Sequence, residues 1–266
     1  VKGWADASVW LGEGLRRENF FFGWGGERLF GSLYRAESLS RRDGLIVCPS
    51  WGIEADRSNR LLNGLAVAMA RLGGAALTFH YPGYGDSEGD VRALTVDALA
   101  EAAVTALTQA DRRVPDIEWT LAGFTFGASI ACLVLRCELA RGLLLLQPEL
   151  RPGFYFEELV RKTKRSGFGK DLERLAFGYP VPASMLDRAG EADAAVERAI
   201  STYDKGGLAA HYASPAEPKL LPASLERRVV PGTWRFGARH QRELSGAAIE
   251  WLEARVPQQA AGGAFG

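Results

Sequence analysis

The stretch that most narrows what this chain can become is Leu121 to Leu135, LAGFTFGASIACLVL. An apolar run meets Gly123-Phe124-Thr125-Phe126-Gly127, then enters a second apolar run too long for an ordinary strand. The pattern predicts a buried strand, a tight turn with Thr125 at its apex, and a core helix from Ala128 through Ala140. Glycines two before and two after the apex relieve crowding at a sharp strand-to-helix turn, which can present one side chain above a sheet.

The flanking sequence supplies the sheet. Asn19 to Trp24 and Arg28 to Glu37 predict a hairpin around Gly25-Gly26. Leu45 to Cys48, Ala75 to Phe79, Ile117 to Ala122 and Gly142 to Leu146 are short apolar runs of the kind buried on both faces of a parallel sheet. Between them, Leu61, Leu62, Leu65, Met69 and Leu72, then Val96, Leu99, Ala103 and Leu107, keep helical spacing. The fold class is therefore α/β, a mostly parallel sheet with helices on both faces and its functional loops beyond the strands' C-terminal ends. Residues 1–150 make the first part of the core. Residues 151–205, rich in charge and in aromatics such as Phe154, Tyr155, Phe156, Phe168, Phe177 and Tyr179, predict a helical lid with turns at Gly178 to Pro182 and at Gly190. Residues 206–266 complete the core, with a strand at Arg227 to Val230 and an amphipathic helix carrying Leu244, Ala248, Trp251, Leu252 and Val256. Gly206 to Leu221 shows no clear buried run and contains Pro215 and Pro218, which predicts a shortened or remodelled end of the sheet. Trp4 and Trp10 predict local packing, with cover for a hydrophobic edge or contact with a partner as the alternatives, and Pro257 and the AGGAFG tail mark the end of the last helix.

Composition removes several function classes. Lys plus Arg and Asp plus Glu both number 32, so no net charge draws the chain to nucleic acid or an anionic membrane. The three cysteines sit in apolar contexts and predict buried thiols in a reducing, cytoplasmic setting. No apolar run approaches a membrane span. Three separated histidines do not make a zinc motif, the glycines around Gly83 and Gly85 do not make a dinucleotide fingerprint, and no cofactor is implied.

The Thr125 turn, the HYPGYGDSEGD loop from His80 to Asp90 and the element order together resemble the α/β-hydrolase superfamily, with threonine at the usual position of the nucleophilic serine. Leu45 to Asp90 is similar to the branch holding the exosortase-system-associated hydrolases and other small acyl-ester hydrolases of serine-aminopeptidase type. The resemblance implies that Thr125 attacks an acyl carbonyl while the backbone N–H groups of Phe126 and of Trp51, or less favourably Ser50, hold the oxyanion. It implies a late histidine as base, for which His240 is the fitting candidate, and an acid at Glu149, with Asp187, Asp193 and Asp204 as later alternatives. His80, as proton donor or substrate hydrogen bonder, and His211, as alternative base, are further pocket candidates. Glu54 and Asp56 open a helix, where carboxylates favour the N-terminal dipole, and Glu54 can also project into the pocket. The expected function is hydrolysis of, or acyl transfer from, an acyl ester or thioester with a largely apolar small-molecule substrate. The alternative is a fold that keeps the pocket for binding or proton transfer, or serves as a scaffold for a protein partner.

Overall fold

The computed structural model describes residues 7–12, 14–165, 175–176, 178–212, 221–230 and 238–255. Trp4, Phe168, Phe177, Pro215, Pro218 and the tail from Pro257 lie outside them. Among the described residues one sheet of nine strands organises the chain, in the order β1-β2-β3-β5-β4-β6-β7-β10-β11. Its antiparallel end consists of β1 (Ala7–Gly12), β2 (Leu15–Trp24) and β3 (Glu27–Ala36), the last two turning at Gly25-Gly26, both with positive φ. The remaining strands run parallel: β4 (Asp43–Cys48), β5 (Ala75–Phe79), β6 (Glu118–Phe124), β7 (Ala140–Leu146), β10 (Gly207–Tyr212) and β11 (Leu225–Val230).

Alternating residues divide the core in two. Ile46, Leu77, Leu121, Leu143 and Leu145 face α2 (Val96–Arg113) and α3 (Gly127–Val134). Leu45, Val47, Ala122, Leu144 and Leu146 face α1 (Gly52–Arg71) and α7 (Ala238–Ala254). Period-two alternation sends successive side chains to opposite faces, and the near-absence of polar residues in these strands follows from both faces being covered. Thr95 fixes the start of α2 by accepting the Ala98 N–H at 3.0 Å.

Between β7 and β10 lie α4 (Pro152–Arg165), the two-residue strands β8 (Leu175–Ala176) and β9 (Tyr179–Pro180), α5 (Ala183–Asp187) and α6 (Ala189–Ser201). Tyr155, Phe156, Val181, Met185, Val196 and Ile200 join the same core cluster as α2 and α3. Among the described residues no helix is long and apolar enough to cross a membrane.

Three expectations need correction. The helix after Thr125 stops at Val134, because Ala140 already pairs with Trp119 as the first residue of β7. Gly190 is not a turn but sits in the first turn of α6. The sheet is not truncated near its end either. GLAAHY at 207–212 is buried at every residue and pairs in parallel with both β7 and β11. Its small and polar letters conceal a strand whose neighbours cover it on both sides.

Candidate active site

The parallel strands reverse their order of addition at β4. From β4 the chain moves outward through α1 to β5, then returns through α2 to β6 on β4's other side. Loops after such neighbouring strands diverge and leave a crevice at their C-terminal ends. Here that crevice holds Ser50, Trp51 and Glu54 after β4 and Thr125 after β6.

Thr125 has φ of 47°, a left-handed conformation that a β-branched residue rarely adopts. Two glycines make the turn possible. A Cβ on Gly123 would lie 2.4 Å from the Gly127 carbonyl oxygen, and one on Gly127 would lie 2.3 Å from that of Cys48. The turn is tied to its surroundings through the Thr125 N–H, which donates to the Leu146 carbonyl at 3.0 Å, and the Thr125 carbonyl, which accepts from the Glu149 N–H at 3.1 Å. Strain of this kind costs about 1–3 kcal/mol and persists where the surroundings fix it.

The Thr125 hydroxyl donates to Glu54 Oε2 at 2.7 Å and lies 2.6 Å from Ser50 Oγ. The same carboxylate oxygen accepts from the Tyr155 hydroxyl at 3.0 Å and from Ser50 Oγ at 3.2 Å. Glu54 reaches this point from the first turn of α1, and Gly52, at φ of 54°, lets the chain swing from β4 into that helix. Burial first, then the neighbouring Glu54, raises the Tyr155 phenol well above its ordinary range, which keeps it a protonated donor. Among the hydrogen bonds of the described residues, neither the Trp51 nor the Phe126 N–H finds an acceptor. The Trp51 indole N–H is likewise buried without one.

Aromatic rings roof these groups. Trp51 meets Tyr84, Phe126 and Phe156 edge-on at centroid distances of 5.0, 6.3 and 5.4 Å, and Tyr155 stacks on Phe126 at 5.3 Å. Each such pair adds about 0.5–1.5 kcal/mol beyond area burial. Thr125 is only 6% exposed beneath them. On the α1 side a cleft of about 200 Å³ is bordered by Ser50, Asn59, Leu62, Phe79, His80 and Tyr84 but not by Thr125 or Glu54, so Ser50 is the group that joins it to the Thr125 hydroxyl. A larger cavity of about 520 Å³ lies between the start of α2 and α5–α6, and neither Ser50, Glu54 nor Thr125 borders it.

The other sequence candidates fall elsewhere. Glu149 follows β7 beside the turn, but its carboxylate accepts from the Arg151 N–H at 3.0 Å rather than from a histidine. Burial pushes the Glu149 carboxyl up, Arg151 opposes this, and Asp193 and Glu54 add to the rise. His240 lies in the first turn of α7 rather than on a loop, edge-on to Tyr212 at 5.1 Å, with its carbonyl accepting from the Tyr212 hydroxyl at 3.3 Å. His211 is buried, its Nδ1 3.1 Å from the Tyr212 carbonyl oxygen. None of these three groups is a hydrogen-bond partner of the Thr125 hydroxyl, whose partners are Ser50 and Glu54. Asp193 caps α4 instead, accepting the Gly153 N–H at 2.7 Å. Among the described residues no three His, Cys, Asp or Glu side chains gather as a metal site requires.

His80 borders the cleft. Its Nδ1 accepts from the Asp86 N–H at 3.1 Å, which leaves the proton of the neutral ring on Nε2. Burial lowers its pKa below the ordinary 6.5, and Asp86 partly offsets this. Because the folded state resists protonation, the stability from the neutral ring is present above pH 6.5 and is lost as pH falls toward the folded value. An NMR titration of the His80 ring should therefore show a midpoint below 6.5, and a midpoint above it would contradict this burial.

Tyr155 is the site residue that sequence reasoning missed. It appeared there only as one of several aromatics in an inserted segment. Its position early in that segment, within two residues of Phe154 and Phe156, was the available signal.

No protein-family model matches the chain, and no curated protein matches it. Solved structures do. The ferulic acid complex of Est1E from Butyrivibrio proteoclasticus aligns with a TM-score of 0.62 at 14% identity, over 89% of this chain and 99% of that one. An alpha-beta serine hydrolase homologue from Coxiella burnetii gives 0.57 at 18% identity, over 88% and 97%. A mutant of the haloalkane dehalogenase DatA from Agrobacterium tumefaciens C58 gives 0.63 at 15% identity, over 91% and 98%. The chain has the α/β-hydrolase fold.

Proposed function

We propose that the protein is an acyl-ester or thioester hydrolase, or an acyltransferase, that forms a covalent acyl intermediate on Thr125. One observation carries the reading. Thr125 sits in a strained turn with its hydroxyl against a carboxylate, and the backbone N–H groups of its neighbour Phe126 and of Trp51, next to Ser50, have no acceptor among the described residues. Unpaired donors at a nucleophile are costly to a resting fold and useful once negative charge develops on a carbonyl oxygen. Est1E was solved with an aromatic acid bound, and a small acyl or aryl group is the substrate class that suits a cleft of about 200 Å³ bordered by Phe79, Tyr81 and Tyr84 beside Ser50.

The test is intact-protein mass spectrometry after exposure to activated acyl esters, thioesters and a serine-hydrolase-directed phosphonate, with peptide mapping. A single adduct on Thr125 is expected, and an adduct confined to Ser50 would reassign the nucleophile. The slight exposure of Thr125 favours a second reading, a binding pocket without an acyl intermediate. Folded protein that binds apolar acids yet is acylated by none of the probes would establish it.

A further inference from the structure

We propose that Glu54, rather than a histidine, is the general base that takes the Thr125 proton, and that Ser50 relays it to the departing or accepting group. This rests on Thr125 being the acylated hydroxyl. The Thr125 O–H already points at Glu54 Oε2 over 2.7 Å, which is hydrogen-bond reach without rearrangement. Tyr155 and Ser50 donate to that same oxygen at 3.0 and 3.2 Å and so fix its position. Ser50 alone of these groups also borders the open cleft.

The step balances. As Thr125 Oγ1 bonds to the acyl carbon, its proton passes to Glu54, and the carbonyl π pair moves onto oxygen beside the Phe126 and Trp51 N–H groups. Collapse of the tetrahedral intermediate breaks the bond to the leaving alkoxide or thiolate. That group takes the Ser50 proton while Glu54 returns its own to Ser50. In the second half, the acceptor, water or an alcohol, gives its proton through Ser50 to Glu54 and attacks the acyl-threonine. Thr125 recovers the proton as it leaves.

A carboxylate is a weaker base than imidazole and assists the threonine's attack less, which favours the more electrophilic acyl donors. Thioesters and aryl esters are therefore the acyl donors expected to be turned over.

The experiment measures the rate of Thr125 acylation by a p-nitrophenyl ester against pH, in the wild-type protein and in Glu54→Gln, Glu54→Asp, Tyr155→Phe and His240→Gln variants. Glutamine keeps an acceptor oxygen at the hub but cannot take a proton. Acylation in Glu54→Gln should fall about a hundredfold or more, the usual worth of general-base catalysis. Glu54→Asp should recover part of that loss, and Tyr155→Phe should lower the rate by loosening the carboxylate it holds. Acylation abolished by His240→Gln would overturn the assignment, as would a Glu54→Gln variant acylated at the wild-type rate. The Tyr155→Phe and His240→Gln rates decide even if a Glu54 variant fails to fold. A wild-type protein never acylated at Thr125 sinks the proposed function, and this inference with it.

Discussion

Thr125→Ala should remove acylation altogether, and Thr125→Ser should raise it. Alanine leaves no oxygen at the apex, so an acyl donor bound beside the Phe126 and Trp51 N–H groups has nothing to receive it. The expected loss is roughly a thousandfold or more, since removal of a nucleophile takes away the covalent path itself. Serine acts on the brake. The threonine methyl restricts χ1 and is held at φ of 47°, where branching at Cβ is poorly tolerated. Serine keeps the hydroxyl within reach of Glu54 and Ser50 while freeing its approach to the carbonyl, and about a tenfold gain in acylation rate is expected from better alignment. Rates of adduct formation by mass spectrometry check both variants. Undiminished acylation of the alanine variant would remove Thr125 from the nucleophile's role. A serine variant slower than wild type would mean that the methyl positions the hydroxyl rather than obstructing it.

The site was only partly legible in the sequence, and the reason is local against non-local. The strand, turn and helix around Thr125 are specified by glycines and apolar letters within one stretch, so the apex residue could be named at once. The parallel strands β4, β5, β6 and β7 were equally readable, being unbroken apolar runs. β10 was not, because its small and polar GLAAHY letters are buried by what packs on the two faces of the sheet, with Leu208, Ala210 and Tyr212 clustered with Leu244, Ala248 and Trp251 of α7. The same holds for Glu54. A carboxylate in a first helical turn has a sufficient local explanation in the helix dipole, and only the crevice between β4 and β6 brings it to a threonine 71 positions away. Tyr155 is farther still, 101 positions from Glu54. His240 was nominated by the position such folds give their histidine, whereas Thr125 is served by groups that lie after β4.

Gly127→Ala should destabilise the protein and silence the site together. Gly127 opens α3, and its Cα is driven against the end of β4. An added Cβ would lie 2.3 Å from the Cys48 carbonyl oxygen and 2.7 Å from that of Pro49, both backbone atoms that no rotamer change can move aside. Relief requires α3 to back away from β4, which costs about 3 kcal/mol as a small overpacking of a rigid core. For a chain of this size that corresponds to a melting midpoint lower by roughly 6–12 °C. The same retreat opens the 2.6 Å contact between Ser50 and Thr125, since Ser50 follows β4 and Thr125 lies just before α3. Gly246→Ala supplies the contrast, because Gly246 lies within α7 with nothing within 4 Å of its added Cβ. There alanine's better helix propensity should stabilise by about 0.5–1 kcal/mol and leave acylation unchanged. Thermal denaturation beside the acylation assay reads both effects. A Gly127→Ala protein that melts with the wild type would show that α3 and β4 are not locked, and that the distance between Ser50 and Thr125 is held by something other than this backbone contact.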